Sequence, residues 1–172
     1  LRLIKKIEVI SGVATLNIED VFTNDFDIYQ IEFTNIHQST NVSNGIEGLR
    51  FINSSGSVIS ASEYAYANLN MLPGTFEDNL FSSRDFLFFN LYADQLSEGQ
   101  ANATVYIFRP KSVDYTFMIS QATGINSSNH YFGKTVGVHK KNASITGIQL
   151  YESNSARTFG GGIVKVYGLA VN

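Results

Sequence analysis

Alternation of apolar and polar residues with a period of two recurs along most of this chain. No stretch longer than about ten residues carries a helical period, so β structure is the governing constraint. Leu16 and Ile18 alternate with Thr15, Asn17 and Glu19. Tyr29, Ile31 and Phe33 alternate with Gln30, Glu32 and Thr34, and Tyr115, Phe117 and Ile119 with Thr116, Met118 and Ser120. Each set describes a half-buried strand, bulky face inward and polar face wet. Phe86 to Tyr92, Thr104 to Phe108 and Ile163 to Val171 are instead apolar on both faces. Such a strand lies centrally in a sandwich or at a subunit interface, and three of them in one small domain favour an oligomer.

With Leu3 to Ile10, Leu49 to Ile52 and Val136 to His139, the expectation is roughly eight to ten short strands separated by turn residues. The fold class expected is all-β, an antiparallel β-sandwich of jelly-roll type. At 172 residues the chain suits a single domain, 1–172, able to bury about 70% of its unfolded surface. Turns are marked at Ser54-Ser55-Gly56-Ser57, Pro73-Gly74, Glu98-Gly99-Gln100 and Asn126-Ser127-Ser128-Asn129. Ser60-Ala61-Ser62-Glu63 reads as a capping box, yet Tyr64 and Tyr66 alternate as in a strand, so the stretch to Leu69 is open between short helix and strand.

The last stretch, Ser144 to Asn172, sets two apolar runs on either side of a polar loop ending in Gly160, Gly161 and Gly162. It reads as two antiparallel strands joined by a long hairpin, with the glycines supplying left-handed conformations in the connection. The final run is expected inside a sheet, because at an edge so apolar a segment would fray.

The same residues carry a resemblance. Ile-x-Gly-x-x-Leu-Tyr (Ile145 to Tyr151), a Ser/Asn/Gly loop, and Gly-x-Val-x-Val-Tyr-Gly-Leu within Gly161 to Leu169 resemble the end of small β-sandwich structural proteins of tailed-bacteriophage virions. Leu3-Ile4-Lys5-Lys6-Ile7, and Val21-Phe22 leading into Phe26-Asp27-Ile28-Tyr29, match the start in style. The resemblance implies a tail-fibre, tail-appendage or capsid-decoration subunit located in the virion. Its partners would be sister subunits, in a homotrimer, and other virion proteins.

Charged residues make up only 16% of the chain, well below the usual quarter. Asn and Ser take their place, giving a hydrogen-bonding surface with little charge. The net charge of −3 and scattered basic residues exclude an electrostatic footprint for nucleic acid. There is no cysteine, hence neither a disulfide framework nor a thiolate metal site. No run approaches the roughly 18 apolar residues of a membrane span, and Lys5, Lys6 and Glu8 interrupt any signal-peptide pattern. No membrane partner and no cofactor is expected.

Individual motifs read mostly as structure. Gly133-Lys134-Thr135 lacks the glycine five residues upstream that a phosphate loop needs, and is expected to be a turn before a strand. His37, His130 and His139 lack metal-ligand spacing and read as isolated surface or loop residues, so no metal site is expected. Asn24-Asp25-Phe26-Asp27 contains a fragment of calcium-loop chemistry without its glycine and distal Glu, and reads as a turn. Glu19-Asp20 and Glu77-Asp78 are adjacent pairs, which on a strand point to opposite faces and cannot converge on a sugar. No nucleophile elbow or catalytic cysteine occurs, and no catalytic residue is assigned. Five Asn-x-Ser/Thr sequons arise readily in a chain of this composition.

Carbohydrate recognition stays open, since tyrosines can stack on sugar rings while Asn, Asp and Ser bond hydroxyls. His130 and Tyr131, after the Asn126 to Asn129 loop, and Arg157 in the last loop are the candidate ligand-binding residues, for example for a host-surface glycan. The alternative is that these aromatics pack in the core or at a subunit interface. The function expected is a non-enzymatic virion subunit, a tail fibre, appendage or receptor-binding domain. The alternatives are a capsid decoration (cement) protein and a free lectin-like module.

Overall fold

The computed structural model describes residues 1–39, 48–92, 100–126, 129–152 and 157–170. Among the described residues, eleven strands form two antiparallel sheets, making a β-sandwich. The large sheet contains β1 (Arg2–Glu8), β3 (Ile28–Gln38), β5 (Tyr64–Leu72), β6 (Thr75–Arg84), β7 (Ala101–Phe108), β8 (Thr116–Asn126), β9 (Asn129–His139) and β11 (Phe159–Leu169). Its spatial order is β1-β11-β3-β7-β8-β9-β5-β6. The small sheet contains β2 (Thr15–Ile18), β4 (Gly48–Asn53) and β10 (Ile145–Tyr151), with β10 central. The Ser54 to Ser57 and Pro73-Gly74 turns fall where expected. Asn53 Oδ1 accepts hydrogen bonds from the Ser55 and Ser57 amides, and Gly74 adopts a left-handed φ. Parts of the Glu98 and Asn126 turns lie outside the described residues.

The core lies between the sheets. Tyr29, Ile31 and Phe33 of β3 point inward as their alternation requires, and meet Ile18, Phe51, Ile148 and Leu150 of the small sheet in one apolar cluster. A three-stranded sheet cannot cover an eight-stranded one. Phe86 to Tyr92 closes part of the gap as an irregular segment, left-handed at Asn90 and tied to β4 by a reciprocal backbone pair, Leu49 with Leu87. Its inward residues Leu87, Phe89 and Leu91 are fully buried. This run is therefore a covering segment and not the doubly apolar strand expected. The other two such runs, in β7 and β11, are strands whose inward residues are buried and outward residues half-buried.

The covering segment explains three glycines of β8 and β9. A Cβ at Gly124 would strike the Tyr92 carbonyl, one at Gly133 the Asn90 side chain, and one at Gly137 the Leu87 side chain. Absence of a side chain lets the segment lie directly on the sheet. Gly133-Lys134-Thr135 accordingly sits within β9, not in a turn before it.

The same close approach reverses β8. Met118 is 0% exposed, and Thr116 and Ser120 beside it are buried, whereas Phe117 and Ile119 are 50% and 42% exposed. Under the covering segment there is room for small inward residues, and Ser120 Oγ donates to the Phe89 carbonyl at 3.4 Å. Phe117 and Ile119 face out and Met118 faces in, opposite to the sequence expectation.

One open reading is decided and two further expectations are corrected. Tyr64 to Leu69 is strand β5, not helix, and the described residues contain no helix. The Tyr64 hydroxyl bridges the Phe51 amide and the Ile59 carbonyl, which anchors the start of that strand. The two runs after Ser144 do not form a hairpin: β10 pairs with β2 and β4, while β11 pairs with β1 and β3. The chain crosses between layers there, and β10 is buried on both faces by its central place in the small sheet. Gly160 to Gly162 lie inside β11, where Gly160 and Gly161 accommodate the His37 ring. The final strand does lie inside a sheet.

Candidate functional site

Antiparallel register places one residue from each strand in rows across the outer face of the large sheet. One row is polar: Lys6 of β1 stands opposite Lys165 of β11, followed by Glu32 of β3, Thr104 of β7, Gln121 of β8 and Lys134 of β9. It continues to Leu69 of β5 and Asp78 of β6. The next row towards the N-terminal end of β8 is largely apolar: Tyr106, Ile119, Val136, Ala67 and Leu80. The row on the other side contains Asn102, Thr123, Phe132 and Met71.

Glu32, Thr104, Gln121 and Lys134 line a cleft of about 460 Å³, with Phe132 and Met71 along one wall. The Glu32 carboxylate accepts a hydrogen bond from Gln30 Nε2 at 3.0 Å. Loss of hydration, followed by the neighbouring Glu32 charge and a hydrogen bond to it, pushes the Tyr167 phenol up. Among the described residues, the side chains of Thr104, Gln121 and Lys134 make no hydrogen bond within the chain. Their donors and acceptors face the cleft. Among the described residues, Glu32 is the only carboxylate lining it. Asp78, in the same row, is five strands away, roughly 24 Å at ordinary strand spacing.

His130, Tyr131 and Arg157 do not converge. His130 is exposed on the outer face of β9, paired with Ile125. Tyr131, the next residue, points to the other face, with its ring centroid 4.4 Å from that of Tyr92 at 31°. Burial, then the adjacent Tyr131, pushes the Tyr92 phenol up to about 12. Arg157 is 7% exposed and belongs to the interior.

The other histidines are built into the sandwich. His37 lies on β3, with Nδ1 3.0 Å from the Asn35 carbonyl. His139 is not a surface residue: it is fully buried between the rings of Phe51 and Tyr64, with Nε2 3.2 Å from Glu63 Oε2. Burial pulls the His139 pKa below its ordinary value, against the opposing pull of Glu63. Among the described residues no three potential metal-ligating side chains cluster. Asn24 to Asp27 forms a turn in which Thr23 Oγ1 donates to Asp25 Oδ2 at 3.1 Å. Arg109 and Lys111 share the small surface hollow beside Asp27, which disfavours a cation there.

No family model matches this chain, and no curated protein matches it. Among solved structures, one similar chain is a double mutant of the alginate lyase Aly36B in complex with alginate trisaccharide. It is 11% identical, with a TM-score of 0.40 over 95% of this chain and 81% of that one.

Proposed function

We propose that this domain is a non-enzymatic structural subunit of a tailed-phage virion, a tail fibre, appendage or receptor-binding domain, that assembles with sister copies through the outer face of its large sheet. The observation that carries the assembly is the apolar part of that face. Phe117, Ile119, Val136 and Leu80 are contiguous by register, and Leu80 is 82% exposed. With Leu69 they leave on the order of 500 Å² of apolar side chain bare, at the upper end of what monomers leave exposed. A stable interface buries about 800 Å² per partner, so this patch would supply its core. The resemblance at both ends of the chain supports the virion setting and, with it, a homotrimer. Capsid decoration would use the same surface.

The non-enzymatic reading is supported by the lone Glu32. Glycoside hydrolysis commonly needs two carboxyl groups about 5–10 Å apart, and no second one lines the cleft among the described residues. A free lectin-like module is the second reading, favoured by the cleft itself.

Sedimentation velocity of the wild type beside Ile119→Asp tests the assembly. Association in the wild type and a folded monomeric variant support it. Equal sedimentation of the two would sink it.

A further inference from the structure

We infer that the outer-face cleft is a binding site for an extended, neutral, linear oligosaccharide. The inference deepens the adhesive role proposed above, and it rests on the cleft rather than on assembly or a virion setting.

From Glu32 to Lys134 the polar row crosses four adjacent strands, a straight run of roughly 14 Å, about the length of three pyranose units. Glu32 offers an acceptor, Lys134 a donor, and Thr104 and Gln121 offer both, an alternation suited to sugar hydroxyls. The row has a wall of the kind that sugar faces contact. Phe132, 47% exposed, lines the cleft with Met71 and offers its ring to a sugar face. A straight row across pleated strands favours an extended chain over a curved one.

Charge selects the neutral class. Glu32 and Lys134, the charged side chains that line the cleft among the described residues, offset one another, while Lys165, Lys6 and Asp78 of the same row lie outside the lining. Inside the cleft a polyuronate would gain one cation, Lys134, and meet one carboxylate, Glu32. The cleft lies on the side of the polar row away from the apolar row, towards Asn102, Thr123, Phe132 and Met71.

The test is calorimetric titration of the full chain with cellopentaose, xylopentaose, mannopentaose and chitopentaose, with a uronate pentamer as the anionic control. Expected is binding of at least one neutral probe with a dissociation constant below about 1 mM. Affinity should fall about tenfold or more in Gln121→Ala and in Phe132→Ala, with the melting temperature preserved in Gln121→Ala. No binding by any neutral probe, tighter binding of the uronate, or binding indifferent to both substitutions overturns the inference. A monomer that binds a neutral probe would defeat the assembly reading and leave the cleft standing. An oligomer that binds none would do the reverse.

Discussion

Exchanging the roles of two neighbours on β8 separates the two possible faces of that strand. Met118 is fully buried against the covering segment, while Ile119 is 42% exposed on the outer face. Met118→Ala removes a buried side chain and leaves a cavity in a region already closely packed around Gly137 and Leu87. Such truncations cost about 2–5 kcal/mol, a large part of the 5–15 kcal/mol typical of a domain. Ile119→Thr keeps the β-branch and removes only partly hydrated surface, so its cost should stay within about 1 kcal/mol. The chain has no tryptophan, so urea unfolding followed by far-ultraviolet circular dichroism is the suitable assay. With a urea m-value of about 2 kcal/mol/M, Met118→Ala should lower the midpoint by about 1–2.5 M and Ile119→Thr by less than about 0.5 M. The comparison should be made at a concentration where both are monomeric, since association would add stability to the wild type. Equal shifts, or a larger one for Ile119→Thr, would refute this assignment of faces.

Tyr131→Ala should cost about 2 kcal/mol by removing a half-buried ring from Tyr92, and should leave binding of the neutral pentasaccharides unchanged. A stable variant that lost binding would place Tyr131 in the site. The fold should also weaken in mild acid. The His139 pKa is depressed in the folded chain, so the unfolded chain takes up the proton first. Stability is fully present above about pH 6.5 and is lost as pH falls from there through the lower folded value. Glu63, and Lys141 on the opposing side, face the ring and share the effect. Unfolding midpoints at about pH 7.5 and about pH 5 should differ more in the wild type than in His139→Phe. Equal differences would remove His139 as the cause.

Strands are readable in the sequence where one face is apolar and the other polar: Tyr29, Ile31 and Phe33 point inward as their spacing requires. The same rule fails on β8, because local alternation shows two faces but not what covers each. Only the return of Phe86 to Tyr92 over Gly124, Gly133 and Gly137 decides that small residues lie inside there. β6 escapes notice for a related reason: as an exposed edge strand it needs no apolar face. The polar row is not legible at all. Glu32, Thr104, Gln121 and Lys134 come from four distant segments, and the order of strands alone makes them neighbours. The signal that is present, large apolar residues at positions 117, 119 and 136 among otherwise polar alternation, reads as core. In the folded chain it marks the outer surface.

Sedimentation equilibrium of the purified chain at micromolar concentration asks whether the apolar part of the outer face of the large sheet is covered by sister subunits. Expected is a stable species of three times the chain mass that dissociates in Ile119→Asp. A wild type that remains a monomer throughout the concentration range would contradict assembly through that face.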